Sequence, residues 1–192
     1  MADYYDVEAI LAEDERVPVT FTTGATGVGR ALDPSCDDND LKRGTKVDLP
    51  FWMTPMLAAR NMITVGIPAC FDNRVRKEVQ ADAGCVDMRQ RCSYFYDLGS
   101  RLTNMVRDPT LGQFILLAFG ARYKELLCKA HNASDEEVTR CMKTLSQEEL
   151  DVFQAGRDSM LEFNRWRART HAKLEMAPIL GRKRKRTALS SF

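Results

Sequence analysis

Histidine is nearly missing from this chain: His131 and His171 are the only two in 192 residues. Neither sits in a recognisable local motif with a nucleophile, so general acid–base chemistry built on imidazole has little to work with. No Lys-Ser/Thr follows the glycine-rich stretch Gly24-Ala25-Thr26-Gly27-Val28-Gly29, and its spacing is not the dinucleotide fingerprint. A phosphate loop is therefore not expected, and the stretch reads as a flexible hairpin loop. No Cys-x-x-Cys pair occurs among the six cysteines. A zinc site from Cys128, His131 and Cys141 would lack an obvious fourth ligand. Reduced, mostly structural thiols are expected. The formal net charge is only +1, which argues against the global basic field of a dedicated duplex-DNA binder. No apolar run approaches the roughly eighteen residues of a membrane span. The N-terminus MADYYDVEAI is acidic and reads as no secretory signal. An enzyme is not expected, and neither is a metal or other cofactor.

What is present changes character near residue 68. Up to Pro68 the chain is strand-like. Val17 to Thr22 is rich in β-branched residues, and Val47 and Leu49 alternate with polar neighbours until Pro50 stops pairing. Phe51 and Trp52 then place two large rings at an elbow. Met56 to Arg60 suits one or two helical turns, and Ile63, Val65 and Ile67 alternate again up to Pro68. Thr23 to Gly29 is glycine-rich, and Asp33 to Asp40 reads as a solvated loop.

After Ala69 the period becomes helical. Phe71, Val75 and Val79 share one face of a first helix, and Phe95, Leu98, Leu102 and Met105 share one face of a second. Asp108-Pro109 breaks that helix. Leu111, Phe114, Ile115 and Ala118 make a stripe on a third, and Leu117, Phe119, Leu126 and Leu127 widen it past one face. A helix apolar around most of its circumference belongs in a core or at a subunit contact. Ser134 with Glu137 and Ser146 with Glu149 have the spacing of capping boxes that open two more helices. On the last of them Phe153, Gly156, Met160 and Phe163 share a face, with Trp166 beside it. Pro178 and Gly181 end the order.

The fold class expected is α+β, mostly α: a small β-rich module over residues 1–68, a helical bundle of about five helices over 69–178, and a disordered basic tail over 179–192. Phe51, Trp52, Leu117, Phe119 and Trp166 are candidate partner-interface residues. Arg157, Arg165, Arg167, Arg169 and Lys173 around Trp166 read as a solvated face or protein contact rather than a DNA-tracking stripe. The block Arg182, Lys183, Arg184, Lys185 and Arg186 suits a nuclear import receptor or a weak nucleic-acid contact.

Several stretches carry a resemblance in one consistent order. Arg43-Gly44-Thr45-Lys46-Val47-Asp48-Leu49-Pro50-Phe51-Trp52, followed by Ile63-Thr64-Val65-Gly66-Ile67-Pro68, resembles the Psf-three type of subunit of the eukaryotic GINS complex. Asp6 to Val19, Phe95 to Leu102 and Phe153 to Trp166 are similar to that subunit type as well. The resemblance implies a non-catalytic structural subunit of a heterotetramer with three sister GINS subunits, located in the nucleus. It further implies that the tetramer joins the Cdc-forty-five factor and the Mcm ring in the replicative DNA helicase. DNA polymerase epsilon is a further implied partner, contact with DNA is indirect or weak, and no membrane is involved. The alternative is a stand-alone basic-tailed nucleic-acid-binding protein.

Overall fold

In the computed structural model, which describes residues 5–32, 39–106 and 108–169, burial alternates along Arg16–Phe21. Val17, Val19 and Phe21 point inward, and this period of two makes the segment a strand, β1. It is preceded by a short helix, α1 (Val7–Glu13), whose first turn is capped by the Asp6 carboxylate accepting from Glu8 N at 3.1 Å. Lys46–Pro50 forms β2 and Ile63–Val65 forms β3. The sheet is antiparallel in the order β2-β1-β3, with Val17 opposite Leu49, Val19 opposite Val47 and Phe21 opposite Ile63.

A proline in the central strand needs a reason, because it has no N–H for the ladder. Pairing with β3 reaches back only to Val19, and the Pro18 carbonyl accepts from Gly66 N at 2.8 Å. The missing donor therefore falls where the β3 ladder has already ended.

The connection from β1 to β2 is more than a loop. It holds a bridge between Ala25 and Leu41 and a single helical turn, α2 (Gly29–Leu32). After β2, a 3-10 turn over Phe51–Met53 leads into α3 (Thr54–Ala59), and the buried Thr54 hydroxyl donates to the Phe51 carbonyl at 2.8 Å.

A second 3-10 turn, Ala69–Phe71, opens the helical part. It continues as α4 (Asn73–Ala81), α5 (Met88–Arg91), α6 (Phe95–Leu102), α7 (Leu111–Asn132), α8 (Asp135–Cys141) and α9 (Gln147–Arg167). The architecture is α+β and mostly helical, with the sheet first and the bundle after it. Both capping boxes form, at Ser134 with Glu137 and at Ser146 with Glu149.

One core runs through both parts. Val17 and Phe51 share a cluster with Phe71, Val75, Phe95, Leu98, Leu102, Leu111 and Phe114. The Phe71 and Phe95 rings lie 4.7 Å apart at its centre. Gly99 permits this packing, because a Cβ there would stand 2.6 Å from Ile115 Cδ1 and 3.0 Å from the Phe71 ring. A second cluster lines the sheet and includes Leu41 and Ile63. A third joins Leu126, Ala130, Val138 and Phe153.

Four details differ from the sequence reading. Phe71 sits in the 3-10 turn and not on α4. Ile67 lies beyond β3 and is exposed. The bundle holds six α-helical segments among the described residues, because the single turn Met88–Arg91 has too few residues to show a period. Cys85 and Cys128 are exposed rather than packed, while Cys70 and Cys92 are buried; all four are free thiols.

Candidate subunit interface

Helix α7 organises the surface because it is the longest helix and contacts both α6 and α9. Its buried positions are Leu111, Phe114, Ala118, Arg122, Leu126 and Ala130, spaced three or four apart as one face of a helix requires. Arg122 is the exception in chemistry. Its Nε donates to Glu149 Oε1 at 2.5 Å and its Nη2 to Oε2 at 2.9 Å, while Nη1 donates to the carbonyls of Ala83 and Val86. Burial opposes the charge on the guanidinium. The hydrogen bonds and the field of Glu149 outweigh it and keep the group protonated.

Glu149 also accepts from the Tyr96 hydroxyl at 2.6 Å and from its own cap, Ser146 N, at 3.3 Å. Burial first, and then the Glu149 charge, push the Tyr96 phenol well above its usual range. The neighbouring Glu148 accepts from the backbone N–H groups of Tyr96 and Asp97 at 3.1 and 3.0 Å, which caps the start of α6. Burial raises the Glu148 carboxyl above its ordinary value. Two adjacent glutamates thus pin α9 to α6 and α7. Sequence reasoning took Glu149 as a capping residue only and missed Arg122. The available signal was a lone arginine four residues from both Ala118 and Leu126, on the buried stripe itself.

Around the outside of α7 the chemistry turns apolar again. Leu116 is 72% exposed and Leu117 70% exposed, and Phe119 and Tyr123 are partly open. Phe119 is held between two rings, edge-on to Tyr96 and stacked on Tyr123, each 5.4 Å away. Leu117 and Phe119 are two residues apart, so they point roughly 200° from one another around the helix. Leu117 instead borders a groove with Asn73, Lys77 and Gln113. The widened stripe is therefore two separate exposed faces flanking a buried one.

Helices α7 and α9 run parallel. Arg122 meets Glu149, and further along Leu127 and Ala130 meet Gly156, where a Cβ would stand 3.2 Å from Ala130 Cβ. Beyond that point α7 ends at Asn132 while α9 continues to Arg167. The projecting end presents Leu161, Phe163 and Trp166 to solvent, with the last two rings 5.7 Å apart. Arg157 is paired with Asp135 at 3.0 Å and Arg165 with Glu162 at 2.7 Å, so part of the positive charge on this helix is neutralised locally.

The two rings of the elbow separate. Phe51 fills the core shared by sheet and bundle, whereas Trp52 is 57% exposed, with Met56 exposed as well. On α1, Val7, Ile10 and Leu11 are exposed as well. Lys173, His171 and the basic block Arg182 to Arg186 lie outside the described residues. Among the described residues no group of His, Cys, Asp and Glu is arranged to hold a metal ion, and no helix is long and apolar enough to cross a membrane.

Comparison with known proteins covers both parts of the chain. The PSF3 N-terminal domain family matches residues 5–59, and the GINS complex protein helical bundle domain family matches residues 70–168. A DNA replication complex GINS protein PSF3 from Phaeosphaeria nodorum is 32% identical over 174 residues, covering 86% of this chain and 96% of that protein. The Xenopus laevis protein of that name is 25% identical over 96% of this chain and 89% of its own length. A probable DNA replication complex GINS protein PSF3 from Dictyostelium discoideum is 28% identical over 90% of this chain. The chain spans 64% of that relative's length.

Proposed function

Because the chain belongs to the PSF3 family of GINS subunits, we propose that it is a non-catalytic structural subunit of a GINS heterotetramer in DNA replication. Three sister subunits cover its exposed apolar faces. The tetramer joins the Cdc-forty-five factor and the Mcm ring as the replicative helicase, and ATP hydrolysis belongs to the ring. DNA polymerase epsilon is a further partner of the assembly, and any contact of this chain with DNA is weak or indirect.

The observation that carries the reading is the contrast between a closed core and an open apolar surface. Leu116 and Leu117 are each about 70% exposed on α7, whose inner face is buried from Leu111 to Ala130, and Trp166 is 68% exposed on the end of α9 that projects beyond α7. Several large apolar side chains left in water on adjoining helices mark a surface meant to be covered. Leu117, Phe119, Trp52 and Trp166 serve as contact residues in this reading. Phe51 supports Trp52 from within.

We propose further that the β-rich module spans 1–68, the bundle 69–178 and the basic tail 179–192, with Arg182 to Arg186 directing the chain to the nucleus. Co-expression tests the main proposal. The chain with its three sister subunits should elute as one soluble species, whereas the chain alone should aggregate or fail to accumulate. A stable, soluble monomer that ignores the sister subunits would sink it.

A further inference from the structure

Three interior helix glycines have different surroundings. Gly99 and Gly156 lie against other helices of the same chain, where a Cβ would meet Ile115 Cδ1 at 2.6 Å and Ala130 Cβ at 3.2 Å. Gly120, in the middle of α7, has none of the described residues within 4 Å of the place where a Cβ would stand. Glycine weakens a helix interior relative to alanine, through lost backbone entropy. At Gly99 and Gly156 that weakness is offset by close helix contact, and at Gly120 nothing among the described residues offsets it.

The neighbours of Gly120 supply the rest. Leu116, Phe119, Gly120 and Tyr123 stand at i, i+3, i+4 and i+7, the four positions that frame one hole on a helix surface. All four are exposed. Three walls are large and apolar, and the fourth has no side chain, so the hole is deep and uncharged. Phe119 is already fixed between Tyr96 and Tyr123, which lowers the ordering cost of filling it.

The face continues past the hole. Leu127 lies next along it and comes within 3.6 Å of the Cβ position of Gly156, beyond which α9 carries Phe163 and Trp166. From Leu116 to Leu127 and then from Gly156 to Trp166 the track is about 30 Å at 1.5 Å per residue, the length of a helix of about 20 residues.

We infer that this hole receives one large apolar side chain from a single long helix of a sister subunit, which crosses α7 with its closest approach at Gly120. The inference rests on the proposed subunit role and adds the seat, its occupant and its crossing point. The absence of Lys or Arg among the four hole residues argues against nucleic acid as the occupant.

The test uses the full chain co-expressed with its three sister subunits. Gly120→Trp fills the hole and should lower recovery of the tetramer at least about tenfold, the effect of a lost anchor contact. Recovery of that variant in the tetramer at the unmodified level overturns the inference. If Gly120→Trp fails to accumulate at all, a second arm decides. Leu116 is replaced by the photoreactive residue benzoylphenylalanine and the assembled tetramer is irradiated. A cross-link to one helix of one sister subunit is the expected result. A link to a second copy of this chain, a link within the chain, or no link at all overturns it. Failure of the unmodified chain to join the sister subunits contradicts the subunit role itself. Normal assembly with an indifferent Gly120 contradicts only the seat.

Discussion

The Arg122 guanidinium and the Glu149 carboxylate meet inside the bundle as a two-pronged pair, Nε to Oε1 at 2.5 Å and Nη2 to Oε2 at 2.9 Å. Both side chains are nearly inaccessible, at 5% and 2% exposure. The pair fixes the register of α9 against α7, and Tyr96 ties α6 to the same carboxylate.

Arg122→Met should lower stability by about 3–5 kcal/mol, because it strands a buried carboxylate. Glu149→Gln should also destabilise, because the amide carries no charge to balance the buried guanidinium and turns an N–H donor toward the donors that the second carboxylate oxygen accepted from. The double change Arg122→Met with Glu149→Leu should recover much of the loss. Denaturant midpoints of the tetramer carrying each variant measure this. A double variant as unstable as Arg122→Met alone would show that hydrogen bonding to Ala83, Val86 and Tyr96, and not the stranded charge, dominates.

Asp108 gives a pH prediction. The Thr110 hydroxyl, followed by Arg76 at 2.6 Å and Thr110 N, holds its carboxyl down at about 2 against an ordinary 3.8. A depressed carboxylate stabilises the fold fully above the unfolded value and loses that contribution as pH falls through the folded one. The stability of the tetramer carrying the unmodified chain should therefore drop between about pH 4 and pH 2 more steeply than that of the tetramer carrying Asp108→Asn. Above pH 5 the variant should be less stable by no more than about 1 kcal/mol, as for other pairs near a surface. Identical pH profiles for the two proteins would remove Asp108 from the acid response.

Leu117→Asp and Phe119→Asp probe two faces of one helix. Both side chains are solvent-exposed, so folding should survive each change while a buried, unpaired charge at a subunit contact should reduce co-purification at least about tenfold. The two variants are expected to weaken different contacts, because the side chains point about 200° apart. Pull-downs with each sister subunit in turn read this out. Assembly of both variants at the unmodified level would mean that neither face is covered.

Deletion of Gly181 to Phe192 should leave tetramer yield and thermal stability unchanged, and the segment Gly181 to Phe192 fused to a soluble reporter should raise the reporter's nuclear accumulation. Unchanged accumulation would argue against an import role for Arg182 to Arg186. Loss of a salt-sensitive DNA affinity would point to nucleic acid instead.

The parts of this fold legible in the sequence are those set by local periodicity. Val47 and Leu49 announce β2, Phe95, Leu98 and Leu102 announce α6, and Ser146 with Glu149 announces the start of α9. Single-turn elements escape because they hold no period, as at Met88–Arg91 and Gly29–Leu32. Arg122 and Glu149 are 27 positions apart, and no local rule links them. On α7 an apolar residue count could not separate a buried face from two exposed ones. Leu126 and Leu117 look alike in the sequence and differ only in what the fold places against them.

The most direct measurement is the mass of the species formed when the full chain is co-expressed with its three sister GINS subunits, read by size-exclusion chromatography with light scattering. One species containing each subunit once is expected, together with an aggregated or poorly accumulating chain when the partners are left out. A well-behaved monomer that stays separate from all three would contradict the assignment of this chain as a structural subunit of the tetramer.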